Sequence, residues 1–282
     1  MPIVIIEDDF DLEKIAESGQ CFRPKEVSPG VFRFITAEHV LDMQKVDVQT
    51  FEISCGLAEW DMIWSKYFDI ETDYAEIRKE IVEFGENKPC GPYLKLVTEY
   101  SKGIRILRQD PFETLVSFII SQRKNIPSIR KIVELLCDTF GDDIALADGS
   151  TVKAFPKVDD LCKISAFDLS KFSLGYRSAY VHDALQKVKS LSVVLDDLYS
   201  SNTDDLIDTL KTIKGVGDKI AACVGLYAYH RFSCVPVDVW IKRAIQEDFK
   251  GINVFMEFGS LAGVLQQYVF YYKRFGAKEL IY

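Results

Sequence analysis

Apolar and polar positions change their rhythm once along this chain. Up to about residue 56 the runs are short and extended. Ile3-Val4-Ile5-Ile6 is an apolar strand signal, and Phe22 to Val27 and Val31 to Thr36 flank the turn Ser28-Pro29-Gly30. His39 to Val46 and Thr50 to Cys55 continue the pattern, which predicts a small antiparallel sheet with one or two helices. From Leu57 the period becomes helical. Ala58 to Tyr67 and Tyr74 to Glu83 are predicted helices. Asp110-Pro111-Phe112-Glu113 combines a carboxylate cap, a proline in the first turn and a glutamate three residues after the cap. The stripe Phe112, Leu115, Val116 and Ile119 then faces inward. Asn125 is placed to cap the next helix, with Ile129, Ile132, Val133 and Leu136 inward and Gly141 as the stop. Further helices are predicted near 158–163, 167–173, 178–191, 204–211, 218–229, 239–247 and 258–273. The expected class is α+β: a sheet domain with flanking helices over 1–105, packed on an all-α domain over 106–282.

Composition narrows the class. With 282 residues, 48% hydrophobic and 27% charged, the chain can bury a substantial core and reads as globular. No apolar run reaches the roughly 20 residues that span a bilayer, and Met1 to Ile6 runs into Glu7-Asp8-Asp9, a poor leader, so a cytoplasmic location is expected. Cysteines stand at 21, 55, 90, 137, 162, 223 and 234, an odd number with no C-x-x-C pair, which fits free thiols rather than a zinc or iron-sulfur site. A net charge of −9 argues mildly against nucleic acid as a partner. Between Lys211 and Arg243, however, six basic residues face two acidic ones, and phosphate affinity follows local potential. A merely solvated basic face would show the same excess.

That basic segment holds the candidate chemistry. Leu210-Lys211-Thr212-Ile213-Lys214-Gly215-Val216-Gly217-Asp218-Lys219 reads as helix, glycine hairpin, helix. Gly215 and Gly217 permit a turn that side chains would block, and the amides opening the next helix can face a phosphate. An ordinary tight turn would also use two glycines. Lys219 falls in the first turn of its helix, where the dipole, and burial if present, favour the neutral amine. Val235-Pro236-Val237-Asp238 follows, with Asp238 expected to cap the helix from Val239 and to be kept ionised by that helix's amides. An amine and a carboxylate beside a phosphate-binding turn suggest nucleotide chemistry, if the chain folds back to join them. Cys223 lies one turn after Lys219 on the same face, where core packing is the plainer role.

The pattern L-x-x-I-x-G-V-G-x-K followed by V-P-V-D closely resembles the lyase branch of the helix-hairpin-helix DNA glycosylases, and within it the 8-oxoguanine DNA glycosylase/AP lyases. Gly19-Gln20-Cys21-Phe22-Arg23, Leu107-Arg108-Gln109-Asp110-Pro111, Ser117-Phe118-Ile119 and Leu174-Gly175-Tyr176-Arg177 resemble segments of the same family, so the resemblance spans nearly the whole chain. It implies that Lys219 is the nucleophile, that Asp238 is the essential carboxylate, and that a base flipped out of duplex DNA is held by Gly19, Cys223, Gln266 and Phe270. The Gly19 carbonyl would accept N7–H of 8-oxoguanine and repel the bare N7 of guanine. Gln266 would read the Watson–Crick edge, with the adjacent Gln267 as competitor, and Phe270 would stack. Tyr176 would wedge into the duplex and Arg177 contact the orphaned base. Lys214, Gly215 and Gly217 would hold the phosphate backbone, and carbonyls of Lys211, Ile213 and Val216 could hold a structural cation.

The chain also departs from the family. The eukaryotic enzymes have three asparagines before Ile126, where this chain has Arg123, Lys124 and Asn125; of these Asn125 remains and Arg123 takes the first place as a cytosine contact. A second cytosine-reading arginine is replaced by Ser128, and a histidine by Trp240. Fewer fixed donors face the opposite base, so a weaker cytosine preference is expected. Some relatives carry a four-cysteine cluster after the catalytic domain; this chain has no cysteine beyond Cys234. These departures suit a bacterial member of the eukaryote-like branch. The expected enzyme is a nucleoid-associated monomer acting on duplex DNA that contains 8-oxoguanine, without a redox cofactor or catalytic metal. The rivals are a monofunctional glycosylase for alkylated bases, which needs the aspartate alone, and a non-enzymatic DNA-binding module.

Overall fold

The computed structural model describes residues 1–276. Five antiparallel strands, β1 (Ile3–Ile5), β2 (Lys25–Ser28), β3 (Val31–Thr36), β4 (His39–Lys45) and β5 (Thr50–Ile53), form one sheet in the order β1-β5-β4-β3-β2. Phe34 pairs with Leu41 and Val4 with Phe51, and all four side chains point into one buried face. That face is covered by the helical run 57–67, which contains a wide π turn at Trp60–Trp64. Trp60, Trp64 and Phe68 pack there, with the Phe68 ring edge-on to Phe34 at 4.9 Å. Strand β2 starts later than expected. Gln20 is fully buried and bonds through its side chain to the carbonyl of Arg105 and the amide of Leu107, both at 2.8 Å. That pulls Cys21-Phe22-Arg23 off the sheet, and Phe22 joins the helical core edge-on to Phe118.

The larger core is helical. Asp110 and Asn125 cap Pro111–Ser121 and Ile126–Phe140, accepting the amides of Glu113 and Ser128 at 2.8 and 2.9 Å. The inward stripes pack as the periodicity requires, except that Phe112 stays half-buried. Helices Tyr74–Phe84 and Gly91–Tyr100 also insert Ile77, Ile81, Leu94 and Val97 into this core, not the sheet core. By packing, then, the stretch 74–100, assigned above to the sheet domain, sides with the helical body. Gly91–Tyr100 was not anticipated, nor was the hairpin of Asp143–Ala145 with Thr151–Lys153, although Asp148-Gly149 is its turn signal. The expected helix near 167–173 is a short turn, Ala166–Leu169, followed by a kink where Ser173 has φ 59°. The last helix begins at Ala262 rather than 258, because two 3₁₀ turns precede it.

A polar seam joins the two cores. Arg105 is fully buried, stacked on Tyr74, and donates to the carbonyls of Phe68, Asp69 and Thr72. Asp69 receives Arg108 at 2.8 Å and the Tyr74 hydroxyl at 2.9 Å. His230 Nε2 approaches it at 2.9 Å, off hydrogen-bond alignment. Burial alone would raise the Asp69 pKa, but these partners bring it down to about 2. No helix among the described residues is long and apolar enough to cross a membrane.

Candidate active site at the helical hairpin

The hairpin joins helix Thr203–Lys211 to helix Asp218–Tyr227. Gly215 has φ +81°, and a Cβ there would lie 2.2 Å from the Tyr180 ring, so both conformation and contact demand glycine. Gly217 is extended, and a Cβ on it would meet nothing within 4 Å. The amides of Gly217, Asp218 and Lys219 have no acceptor among the described residues. They open a ten-residue helix and face an open groove of about 660 Å³ lined by Gln122, Lys219, Val237 and Lys242. Bare amides at a helix N-terminus, with a lysine across the groove, suit an anion.

A second cavity of about 300 Å³ lies on the other side of Lys219. Its walls include Gly19, Phe118, Lys219, Cys223, Asp238, Gln266 and Phe270, so the chain does fold back as the catalytic reading requires. Lys219 lines both the cavity and the hairpin groove. Its Nζ is 5.1 Å from the centre of the Phe118 ring, which stacks on Tyr227.

Asp238 caps Val239–Glu247 as expected: one oxygen accepts the amides of Trp240 and Ile241, each at 2.9 Å. The other makes no hydrogen bond among the described residues. Burial outweighs the cap, however. The pKa of Asp238 stands above the usual carboxylate value, although the Ile241 amide and the Lys219 charge pull it down. The amides favour the ionised form, as expected of a cap, but burial opposes them. Burial also raises the Cys223 thiol, again opposed by neighbouring Lys219.

On the last helix, Gln266 and Gln267 separate cleanly. Gln267 is fully buried and committed at both ends, accepting the Tyr227 hydroxyl at 2.6 Å and donating to the Ser18 carbonyl at 2.8 Å. Gln266 is 2% exposed, lines the cavity, and leaves its Oε1 without a partner. A buried, unpaired amide oxygen in a cavity wall is costly unless a ligand meets it. Gly19 has φ +79°, and its carbonyl accepts nothing among the described residues. A Cβ there would crowd Ile126 at 3.0 Å and Phe270 at 3.1 Å.

The duplex-facing residues divide. Tyr176 is 48% exposed and rests edge-on against Tyr180. Arg177, expected to reach an orphaned base, is instead 7% exposed. It donates to the carbonyls of Gln122 and Leu174 and lies over the Tyr176 ring. Two open carbonyls nearby outcompete solvent for its fork, so it orders the loop before Arg123 rather than offering a free guanidinium. Arg123 is exposed, with φ +52°. Asn125 is exposed too, but its side-chain oxygen is occupied by the helix cap. Lys214 is exposed and its amide is held by Asp183.

The suggested cation site already has competing donors. The Ile213 carbonyl already accepts the Val216 amide, and the Lys187 ammonium donates to the Thr212 carbonyl in the same loop. A second cation beside that ammonium would meet like charge. Among the described residues no three His, Cys, Asp or Glu side chains gather as metal ligands. Sequence reasoning missed Lys124 and Arg274 in the cavity wall, and Tyr180 under the hairpin. Arg274 was findable, since it follows Phe270 by four residues on one helix face.

Comparison with known proteins bears on this geometry. Residues 2–115 match the family described as 8-oxoguanine DNA glycosylase, N-terminal domain. The solved structure of MBOgg1 with a low-affinity DNA ligand is 37% identical, with a TM-score of 0.90, over 98% of this chain and 96% of that one. The 8-oxoguanine glycosylase/lyase of Clostridium acetobutylicum, solved with double-stranded DNA containing cytosine opposite 8-oxoG, is 33% identical, with a TM-score of 0.87, over 98% and 99%. The N-glycosylase/DNA lyase of Saccharomyces cerevisiae is 33% identical over 160 residues, which cover 53% of this chain but only 43% of that protein.

Proposed function

Because the chain belongs to the 8-oxoguanine DNA glycosylase family, we propose that it excises 8-oxoguanine from duplex DNA and then cleaves the strand as an AP lyase. The hairpin amides and Lys214 hold the backbone, Tyr176 fills the gap in the stack, and the damaged nucleotide swings into the cavity. Extrusion costs roughly a few kcal/mol, which the wedge and cavity contacts offset. Gly19 accepts N7–H, Gln266 reads the Watson–Crick edge, and the base lies between Cys223 and Phe270.

The deprotonated Lys219 amine attacks C1′ as the bond to N9 breaks, and the base leaves with the bonding electrons and takes up a proton. The ionised Asp238 carboxylate faces the positive charge that develops on the sugar. Ring opening gives a Schiff base on Nζ. Loss of a C2′ proton then expels the 3′ phosphate by β-elimination. Every step uses side chains of this one chain, which we take to act as a monomer on nucleoid DNA. With Arg123 and Ser128 facing the opposite strand, cytosine preference is relaxed.

One observation carries this reading: Lys219 lines both the base-sized cavity and the backbone groove, where a C1′ atom linking base to phosphodiester would lie. Borohydride trapping on duplex DNA containing 8-oxoguanine tests it. The parent protein is expected to form a covalent adduct and Lys219→Gln none. Base release without trapping would point to a monofunctional glycosylase, and binding without release to a DNA-binding module.

A further inference from the structure

The last helix ends in a cation that this chemistry leaves unused. Arg274 stands one turn beyond Phe270 and two beyond Gln266, and all three line the cavity. Its Cζ is 5.4 Å from the centre of the Phe270 ring. Its Nη1 lies 3.3 Å from where a Gly19 Cβ would stand, and donates to the Glu17 carbonyl at 3.2 Å. A guanidinium has five N–H donors; the others here find no acceptor among the described residues. The nearby Glu17 carboxylate is engaged by Arg130 at 2.8 Å. Burial holds the Arg274 pKa below its usual value; the Glu17 and Asp238 charges oppose it and the Arg130 charge adds to it.

The purine edge supplies what is missing. With N7–H on Gly19 and the Watson–Crick edge on Gln266, the atom shared by those two edges is O6. A donor beside Gly19, on the helix that carries Gln266, meets that oxygen. We propose that Arg274 is a specificity-determining residue that donates to the 6-carbonyl of the extruded base, so that the site takes 6-oxopurines and rejects 6-aminopurines. This rests on the 8-oxoguanine reading above. A 6-amino group would turn donors toward a group that has only donors, and buried unpaired donors are strongly selected against. The same charge stabilises O6 as the purine leaves with the N9 electron pair.

The test compares the parent, Arg274→Met and Arg274→Lys in single-turnover excision of 8-oxoguanine and of 8-oxoadenine, each opposite the same base. Borohydride trapping on abasic duplex DNA, which has no base to read, runs alongside. Arg274→Met should excise 8-oxoguanine about tenfold or more slowly, the size of one lost charged hydrogen bond. It should leave 8-oxoadenine unchanged or faster and trap abasic DNA like the parent. Arg274→Lys should recover part of the ratio. Equal slowing of both purines, or an unchanged 8-oxoguanine rate, overturns the proposal. If Arg274→Met loses abasic trapping through misfolding, the ratio in Arg274→Lys decides: a parental ratio also overturns it. A parent protein that releases neither base and traps nothing defeats the functional reading instead.

Discussion

One oxygen of Asp238 caps a helix while burial raises the pKa of the carboxyl. The ionised form is therefore held at a cost to the fold. Since the folded pKa exceeds the unfolded one, that cost is present above the folded pKa and disappears as pH falls below the unfolded value. Asp238→Asn keeps an oxygen for the Trp240 and Ile241 amides and removes the charge. It should melt at a higher temperature than the parent at pH 7 in calorimetry, with the difference shrinking toward pH 4. The same variant should excise at least ~100-fold more slowly, because the carboxylate no longer faces the sugar. Stability gained where activity is lost is the signature of a site under functional constraint. A melting temperature lowered at pH 7 would mean that the aspartate serves the fold alone.

At the scale of elements, a closed ring of contacts ties the hairpin to the wedge. The Gln122 side chain donates to the Gly215 carbonyl at 3.4 Å, and Arg177 donates to the Gln122 carbonyl. Arg177 covers Tyr176, Tyr176 rests on Tyr180, and the Tyr180 ring fills the space beside Gly215. Phosphate capture and stack insertion therefore share one support. Tyr180→Ala removes a packed ring without touching the cavity. It should slow base extrusion by roughly tenfold, the effect of losing about 1.4 kcal/mol, as read by 2-aminopurine fluorescence next to the lesion. Trapping on abasic DNA should change less. Equal loss in both assays would remove the coupling.

This ring also marks where the sequence stopped being legible. Gly215, the cap at Asp110 and the stripe of Leu115, Val116 and Ile119 are local signals, and they reappear at the expected places, whereas Gly217 is extended with room for a side chain and the turn does not require glycine there. Helix Gly91–Tyr100 and the start of β2 depend on distant partners: Leu94 and Val97 find the helical core, and Gln20 finds Arg105 and Leu107. Arg177 shows the same limit in the site, since nothing local says that the Gln122 carbonyl, 55 residues away, will claim it.

Across the whole molecule, the seam at Asp69 links the sheet to the segment that leads into Val235-Pro236-Val237-Asp238. The folded pKa of about 2 lies below the unfolded value of 3.8, so this stabilisation is fully present above pH 3.8 and is lost as pH falls through about 2. A shift of that size corresponds to roughly 2 kcal/mol. Asp69→Asn leaves Arg108 and His230 without their charge partner and should cost about that much in denaturant unfolding at pH 7. The deficit should narrow below pH 3. An unchanged midpoint would show that the seam contributes nothing to holding the two cores together.

Gln267 grips the Ser18 carbonyl across 249 residues of chain, directly beside Gly19. The two jaws of the slot thus come from stretches of chain 249 residues apart. Until the helix that carries Gln266 and Gln267 has docked on Ser18, a folding chain can hold its amine, its carboxylate and its hairpin but has no gauge against which to measure a purine. Discrimination between purines therefore depends on long-range docking that the catalytic pair does not need.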